Sequence, residues 1–356
     1  MLFDGTEVTI EKVRYRDLQD LEKVFTTEFG DEISTGIIKQ RVHRIRQFYY
    51  LLLPLSKMSN WINRFFNIYV IRAGETVIGF MQVSSLTAKQ LHLDYIAIRK
   101  KYRGQGLGTK VLQTLFQEVV DKNNNDVILE VKHDNPARSL YERLGFTVQA
   151  QVLHYERTFG GPDEPGELPA ATGPALQELQ LADRPLLYKL YCASIPRKIQ
   201  QVIRRNPSEF QPSLFLRNFS WFKNYLMQAR NQQFVLYQQQ QLVALVELRS
   251  YPRSAAHILS MTLNRSYEHL REDLLRQALS ILENKYQAGK VNTTIYDDSP
   301  AKRQTLEQLG FTKQEQFYLM LRPAGGRVKR VKKVGQVRAF KPQGRGTKSH
   351  FNKTPF

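Results

Sequence analysis

The stretch YIAIRKKYRGQGLGTKVLQ, which runs from Tyr95 to Gln113, decides how this chain folds. Its apolar beginning predicts a β-strand that ends at Ile98, and a basic loop follows. A glycine-rich turn then opens into a segment with apolar residues at helical spacing. The stretch therefore predicts a strand, a loop and a helix N-terminus in immediate succession, a unit typical of domains that mix helices with a sheet.

The loop of this unit has the composition of a phosphate site. Gly104, Gly106 and Gly108 let backbone N–H groups point into one concavity, where Arg103 and the helix N-terminus add positive charge. Two other phosphate motifs do not fit. A P-loop needs lysine directly after Gly108, and a dinucleotide fingerprint needs glycine at the same position, which Thr109 occupies. The loop therefore predicts a pyrophosphate cradle of a different type.

Hydrophobic periodicity predicts alternating strands and helices on both sides of this unit. The strand candidates are Val8–Arg14, Asn67–Arg72, Val77–Ser84, Leu91–Ile98, Asp126–Lys132 and Phe146–Leu153. The helix candidates are a segment that begins at Asp17, then Ile37–Leu53, Gly108–Asp121 and Pro136–Leu144. The predicted fold class is α/β (α+β), a mixed sheet flanked by helices.

The chain also contains an internal repeat. When the sequence is shifted by 165 residues, LYERLGFT at Leu140–Thr147 lies over TLEQLGFT at Thr305–Thr312. The same offset brings two more pairs into register, His92 with His257 and Tyr102 with Tyr267. Agreement at separate places without a change of offset predicts two copies of one fold.

Glycine and proline interrupt the chain between the two copies, in the segment GGPDEPGELPAATGP at Gly160–Pro174. Such a composition excludes regular structure and predicts an interdomain linker. The predicted organisation is a first domain at 1–158, a linker at 159–174, a second domain at 175–322 and a tail at 323–356.

The overall composition limits the class of protein. A length of 356 residues with 42% hydrophobic residues suits two folded domains and excludes global disorder. A single cysteine, Cys192, excludes a disulfide scaffold and cysteine-based zinc sites, and favours a reducing compartment. The N-terminus has no signal-peptide pattern, and the longest apolar run, Phe48–Leu55, is too short to span a bilayer. We therefore expect a cytoplasmic protein with no membrane span.

The net charge of +19 is concentrated near the C-terminus. Pro323–Phe356 contains ten basic residues, no acidic residue and few large aliphatic ones, so we expect this tail to be disordered. Its charge predicts contact with RNA, DNA or a ribonucleoprotein, with Phe340, Phe351 and Phe356 available for stacking on bases. The alternative is a solvated tail that only improves solubility.

Two motifs together carry a family resemblance. Arg103-Gly-Gln-Gly106-Leu-Gly108 resembles the (Gln/Arg)-x-x-Gly-x-(Gly/Ala) signature of the GNAT superfamily of acetyl-CoA-dependent N-acetyltransferases, and NPARSLYERLGF at Asn135–Phe146 resembles a later helix of that family. The resemblance covers residues 5–157 and implies a GNAT fold with acetyl-CoA as cosubstrate. It also implies that a run of loop residues binds the coenzyme, namely Arg103, Gly104, Gln105, Gly106, Leu107 and Gly108.

The resemblance implies roles for residues outside the loop. Backbone N–H groups of Ile96, Ala97 and Ile98 would hold the acetyl carbonyl and the pantetheine arm. Tyr141 would be the general acid that protonates the departing thiolate, and the alternative is a tyrosine that only packs in the core. Asn135 would hydrogen-bond the coenzyme, and the alternative is that it caps the helix that follows it.

The resemblance leaves the general base open. Glu130 resembles the strand glutamate that acts as base in ribosomal-protein N-terminal acetyltransferases, although it precedes Tyr141 by eleven residues, one fewer than expected in that subgroup. Asp94 is a second candidate, and a chain of waters is a third. The alternative for Glu130 is a buried structural carboxylate that pairs with Lys132 or Arg138. A base is needed because the amine must lose a proton before it attacks.

The second copy has lost these residues. At the offset of 165, Arg103 aligns with Glu268, Gly106 with Arg271, Gly108 with Asp273, Glu130 with Ile295 and Tyr141 with Leu306. We therefore expect a degenerate GNAT-like domain that binds no coenzyme. Its role is open between structural pairing, continuation of the sheet and lining of the acceptor site. The loop residues His133 and Asp134 have no further histidine or cysteine near them, so no metal site is predicted.

Basic and aromatic residues follow the first helix of each copy, where this fold usually recognises its acceptor. They are Arg41, Arg44, Arg46, Phe48, Tyr49 and Tyr50 in the first copy, and Arg197, Lys198, Arg204, Arg205, Phe215, Trp221 and Phe222 in the second. They predict an acceptor cleft or a nucleic-acid surface, and the alternative is ordinary amphipathic helices. The predicted function is transfer of an acetyl group to a primary amine of a protein N-terminus, a lysine or a small molecule. The alternative is a nucleic-acid- or ribosome-associated module that uses the fold as a scaffold.

Overall fold

A computed structural model describes residues 7–29, 67–87, 89–120, 123–160, 173–211 and 229–325. The strands are β1 Val8–Lys12, β2 Ile68–Ala73, β3 Thr76–Thr87, β4 Gln90–Ile98, β5 Asp126–Lys132, β6 Thr147–Phe159, β7 Gln177–Glu178, β8 Arg230–Gln238, β9 Gln241–Tyr251, β10 Ala256–Leu263, β11 Gly289–Tyr296 and β12 Thr312–Arg322. The α-helices are α1 Leu18–Phe29, α2 Leu107–Leu115, α3 Ala137–Arg143, α4 Arg184–Ser194, α5 Arg197–Val202, α6 Arg271–Lys285 and α7 Pro300–Gln308. The predicted helix Ile37–Leu53, most of the predicted linker and the tail from residue 326 lie outside the described residues.

The chain divides into two compact units, and strands β3 and β4 each contribute residues to both. The described part of the first unit is 7–29, 67–84 and 94–120. The described part of the second unit is 85–87, 89–93, 123–160, 173–211 and 229–325. The domain limits expected from the sequence remain a prediction.

The first unit contains the end of β4, the glycine-rich loop that follows it and helix α2. Strands β1 and β2 pair antiparallel, as do β2 and β3, and the backbone N–H of Arg99 after β4 donates to the carbonyl oxygen of Ile78 on β3 at 2.8 Å. Asp17 directly precedes α1. Its carboxylate accepts a hydrogen bond from the backbone N–H of Arg14 at 2.8 Å and forms a buried ion pair with Arg72. These contacts hold the sheet behind the loop in place.

The second unit is a mixed sheet. Its strand order is the beginning of β4, then β5, β12, β6, β11, β10, β9, β8 and β7. The pairs β4–β5 and β10–β11 are parallel, and the other neighbours with described registers are antiparallel. This arrangement confirms the predicted fold class, a mixed sheet flanked by helices.

The two sequence copies exchange their last strands. The final strand of the first copy, β6, pairs with β11 of the second copy, where Val152 lies opposite Tyr296. The final strand of the second copy, β12, pairs with β5 of the first copy, where Leu319 lies opposite Glu130. Strands β6 and β12 also pair with each other at the centre. Each copy therefore completes the sheet of the other, an arrangement that the repeat in the sequence does not indicate.

Helices cover both faces of the sheet in the second unit. On one face, Leu275 and Leu279 of α6 and Leu306 of α7 pack with Leu153 and Tyr155 of β6. On the opposite face, a cluster is centred on α5 and the middle strands, and its buried members are Ile128, Val152, Val202 and Leu319. In the part of the chain that the structure describes, no helix is long and apolar enough to cross a membrane.

Candidate active site

The predicted cradle is one exposed loop of the first unit, between β4 and α2. Gly104 and Gly106 adopt left-handed backbone conformations, with φ of 77° and 69°, that residues with side chains rarely adopt. The guanidinium Nε of Arg103 donates to the carbonyl oxygen of Ile98 at 2.8 Å and holds the loop against the strand end. Helix α2 begins directly after Gly106, which has no side chain to cap it. The first amides of α2 are thus available to an anion.

The end of β4 lies close to the backbone of β3. Gly79 on β3 packs against the carbonyl oxygen of Ala97, and a Cβ atom at residue 79 would come closer to that oxygen than van der Waals contact allows. Only glycine therefore permits this approach. The structure places Ile96, Ala97 and Ile98 immediately before the cradle loop, on the strand that leads into it. Their proposed contacts with the acetyl group stay a prediction.

Gln105 carries an unusual group for an exposed loop. Its side-chain oxygen is buried and accepts no hydrogen bond from any described residue. An unpaired buried acceptor is costly, which commonly marks a site that a ligand or water completes. The left-handed glycines, the uncapped helix start and Arg103 together fit the pyrophosphate end of coenzyme A, whereas the Gln105 oxygen needs a donor that a pyrophosphate does not offer.

Tyr141 lies on α3 in the second unit and is buried, with 7% of its surface exposed. Its ring contacts Phe146 edge to face, with centroids 5.8 Å apart. Burial raises the pKa of its hydroxyl to about 12, because the phenolate would lose its hydration. The phenol therefore keeps its proton at neutral pH and can donate it or hydrogen-bond with it.

Glu130 lies on β5 and is exposed, so the alternative of a buried structural carboxylate is wrong. Both predicted partners are engaged elsewhere: Lys132 pairs with Glu315 at 2.9 Å and Arg138 pairs with Glu142 at 2.8 Å. Across the described ranges, no cation lies within ion-pair distance of Glu130. Its carboxylate is therefore available to accept a proton or to bind a cation.

Tyr141 and Glu130 belong to opposite faces of the second unit's sheet. Arg138, on the same helix as Tyr141, lies over the ring of Tyr318 at 4.3 Å, and Tyr318 is the register partner of Val131. Successive strand residues alternate between faces, so the Val131 face carries α3 and the Glu130 side chain points the other way. The structure therefore does not bring these two predicted catalytic side chains together on one face of the sheet.

The remaining predicted residues have defined local contacts. The side-chain oxygen of Asn135 accepts a hydrogen bond from the amide of Ala137 at 2.9 Å, so the capping alternative is confirmed, while its coenzyme contact stays a prediction. Asp94, in the first unit, accepts a hydrogen bond from the Ser84 hydroxyl at 3.1 Å. No group of three or more potential metal ligands occurs among the described residues.

The second copy has filled its counterpart of the cradle. Arg271, which replaces Gly106, pairs with Glu268, and its Nη2 atom donates to the Glu268 Oε2 atom at 3.0 Å. Leu306, which replaces Tyr141, is 2% exposed and belongs to the apolar core. An ion pair and a packed leucine occupy the positions where a coenzyme would need open amides and a proton donor.

The strand registers show that the residue equivalent to Glu130 in the second copy is not the one expected from the sequence. Leu319 and His154 are equivalent at the offset of 165, and they lie opposite Glu130 and Thr294 respectively. Thr294 is therefore the counterpart of Glu130, whereas the predicted counterpart, Ile295, packs in the core on the other face. A one-residue shift in this strand is the reason. Threonine cannot act as a base, so the second copy lacks one in either register.

Sequence reasoning missed three residues that share the Glu130 face. They are His154 on β6, Tyr296 on β11 and Phe317 on β12, and all three are partly buried. Only the exchange of strands brings β12 and β11 near β5, and the spacing of residues along the chain gives no indication of it.

Comparisons with known proteins agree with these observations. The model of the Acetyltransferase (GNAT) family matches residues 39–146. The chain is 31% identical over 126 residues to the ribosomal protein bS18 alanine N-acetyltransferase of Haemophilus influenzae. This alignment covers 34% of this chain and 84% of that protein. The chain is also 26% identical over 149 residues to N-alpha-acetyltransferase 30 of Schizosaccharomyces pombe. That alignment covers 42% of this chain and 89% of that protein.

A solved structure has a similar fold over most of the chain. A tandem GNAT protein from the clavulanic acid biosynthesis pathway aligns with a TM-score of 0.56 at 13% identity, over 90% of this chain and 99% of that chain. At that identity the likeness concerns the fold alone, and it includes both sequence copies.

Proposed function

The chain belongs to the GNAT family of acetyltransferases, and we propose that it transfers the acetyl group of acetyl-CoA to a primary amine by direct attack. The observation that carries this proposal is the Arg103–Gly108 loop. Left-handed glycines, an uncapped helix start and a guanidinium occur there in one exposed segment. These groups are complementary to the negative charge of a pyrophosphate.

In the proposed reaction, the amine nitrogen attacks the thioester carbonyl, the new C–N bond forms and the C–S bond breaks. The amine proton passes to Glu130, directly or through a water molecule, and Asp94 is the alternative acceptor. Tyr141 donates its phenolic proton, or a hydrogen bond, to the departing thiolate. Backbone N–H groups at the end of β4 stabilise the oxyanion. No covalent enzyme intermediate is required.

The acceptor we propose is a primary amine of a protein N-terminus, a lysine or a small molecule. The two relatives reported above are named for N-terminal or alanine N-acetylation, which supports an amine acceptor here. The second copy has no cradle and no proton donor at the equivalent positions, so we assign catalysis to the first copy alone.

The tail supports an additional role. Ten basic residues without an acidic one at Pro323–Phe356 suit contact with RNA or a ribonucleoprotein, which would tether the enzyme near its acceptor. Truncation at Pro323 should then abolish salt-dependent RNA binding and leave acetylation unchanged. Loss of acetylation together with RNA binding would contradict a separate tethering role.

Release of the coenzyme thiol in the presence of primary amines tests the catalytic roles. Glu130→Gln and Tyr141→Phe should each lower kcat by about 10²–10⁴-fold, because each removes a proton-transfer group, while acetyl-CoA binding persists. Glu142→Gln is the matched control, since it neutralises an exposed glutamate on the same helix as Tyr141 and should leave kcat unchanged. Full activity in both catalytic variants would contradict the assigned roles.

A further inference from the structure

The second copy is fixed beside the Glu130 strand by a buried glutamine. Gln90, at the beginning of β4, is fully buried and donates through Nε2 to the carbonyl oxygen of Val202 at 2.6 Å. Its side-chain oxygen accepts from the backbone N–H of Arg204 at 3.2 Å. The Arg204 guanidinium pairs with Asp126, the first residue of β5, at 2.8 Å. The end of α5 and the loop after it are therefore held against the first copy.

Strand exchange brings further residues of the second copy to the same face. Glu130 lies three strands from Tyr296, in the order β5, β12, β6, β11, which corresponds to about 14 Å at the usual strand spacing. Between them lies a buried apolar cluster that includes Val152 and Leu319, and the partly buried ring of Phe317 packs against it. We call the set Glu130, His154, Tyr296 and Phe317 the amine face.

The amine face has one unpaired negative charge among neutral aromatic groups. Burial lowers the pKa of His154, so its imidazole is neutral at pH 7, although the charges of Glu130 and Glu315 act in the opposite direction. Burial and the negative charge of Glu130 raise the pKa of Tyr296, which keeps its proton. The Phe317 ring lies 4.6 Å from that of His154. A single ammonium group can thus bind Glu130 with aromatic rings nearby.

Cations border this face and limit the charge of what can bind. Arg204 is paired with Asp126, Lys132 is paired with Glu315, and Arg205 has a long ion pair with Glu209, at 3.9 Å. Arg205 also acts electrostatically on the Tyr296 hydroxyl. A second positive charge on a ligand would be repelled by these cations, because their carboxylate partners among the described residues are already paired.

We propose that the amine face is the acceptor-recognition surface, that the second copy determines which amine is used through Tyr296 and Phe317, and that the acceptor is a primary amine with one positive charge next to an apolar or aromatic group. This inference rests on the proposed function, in which Glu130 receives the amine proton. It gives the degenerate copy a specific role, since two of its side chains would contact the acceptor of the first copy.

Amine binding to the full-length chain without acetyl-CoA tests this inference separately from catalysis. The probes are phenethylamine, a pentapeptide with an N-terminal phenylalanine, ethanolamine and spermidine. Binding is followed by the imidazole NMR signal of His154, assigned with His154→Gln. We expect saturable shifts with phenethylamine or with the peptide, and this pair distinguishes a small-molecule source from a peptide source. Ethanolamine and spermidine should bind more weakly.

The decisive variant is Tyr296→Ala, which should weaken phenethylamine or peptide binding by about tenfold because it removes a ring from the site. In thiol-release assays the same variant should raise the KM of the amine and leave the KM of acetyl-CoA unchanged. Tyr251→Ala is the matched control, since Tyr251 is also a half-buried tyrosine at the end of a second-copy strand. It should change neither quantity.

Two results would overturn the inference: no saturable shift with either aromatic probe, or a preference for spermidine. Unchanged amine binding in Tyr296→Ala would exclude the role of the second copy. Failure of acetyl-CoA to bind would refute the proposed function, yet amine binding at His154 that Tyr296→Ala weakens would still establish the amine face. The two failures are therefore distinguishable.

Discussion

At the scale of single residues, Glu130 and His257 are opposite cases, one an exposed charged group and the other a buried neutral one. Glu130 is exposed and unpaired within the described residues, which suits a group that exchanges protons with a substrate. His257 is 1% exposed, its Nδ1 lies 2.9 Å from the Ser250 hydroxyl, and its Nε2 has no hydrogen-bond partner among the described residues. Such a histidine stabilises the fold only while it is neutral.

The burial of His257 predicts how stability depends on pH. Burial lowers its pKa below the ordinary value of about 6.5, so the unfolded chain binds more protons than the native chain once the pH falls below that value. Stability is therefore full above about pH 6.5. It declines as the pH falls toward the native pKa, by at most about 1.4 kcal/mol per pH unit for this group.

Urea unfolding between pH 7.5 and 5 measures this slope. His257→Asn keeps a hydrogen-bonding partner for Ser250 but cannot be protonated, so the stability of this variant should depend less on pH than that of the wild type. His154→Asn should reduce the slope further, because burial also lowers the pKa of His154. Identical slopes in wild type and His257→Asn would show that His257 is not the titrating group.

At the scale of secondary-structure elements, the exchange of β6 and β12 ties the fold of the first copy to the second. A chain that ends at Gly160 lacks β11 and β12, so β5 loses a neighbour and β6 loses both. Buried residues such as Val152 and Tyr155 would then face water. We predict that residues 1–160 alone show no cooperative thermal unfolding and bind no acetyl-CoA.

Two further chains sharpen this prediction. Residues 173–356 produced separately and mixed with residues 1–160 should restore the cooperative transition, because the exchanged strands can still pair. A chain that ends at Gly325 retains every described strand and should differ from the full-length protein by less than about 0.5 kcal/mol in the free energy of unfolding. Cooperative unfolding of residues 1–160 alone would contradict the importance of the exchange.

Local patterns predicted the elements well and their pairing poorly. The strand Asp126–Lys132 was expected with the bounds observed, because its apolar run is flanked by clear turn residues. The predicted strand Phe146–Leu153 continues to Phe159, since β11 provides partners as far as Phe159 opposite Gly289. The predicted helix Gly108–Asp121 is α-helical only over Leu107–Leu115 and becomes a π-helical turn at Phe116–Val120.

For the candidate site too, local features could be predicted from the sequence and contacts between distant segments could not. The spacing of Arg103, Gly104 and Gly106 indicated the cradle, because positive φ values leave a trace in the sequence as glycine. The residues that share the Glu130 face could not be predicted, because Phe317 and Tyr296 join this sheet only through non-local strand pairing. Strand β12 would satisfy its alternating pattern equally well beside β11, and nothing local chooses between the two arrangements.

At the scale of the whole molecule, we propose that one copy of the repeat is catalytic and the other supports it. The first keeps the cradle, the phenol and the carboxylate, while the second has replaced the cradle by the Arg271–Glu268 ion pair and the phenol by Leu306. The second copy nevertheless contributes β12 to the centre of the second unit's sheet and side chains to the amine face. The account therefore predicts a single coenzyme site in a chain that contains two copies of the fold.

Titration calorimetry with acetyl-CoA tests this central claim most directly. The wild type should bind one equivalent per chain, and Gly106→Glu should bind none, because it places an anion and a strained backbone in the cradle. Gly74→Glu is the matched control, since Gly74 has a similar φ of 57° in the exposed turn between β2 and β3 and should bind like the wild type. No binding by the wild type, or two equivalents per chain, would contradict the account.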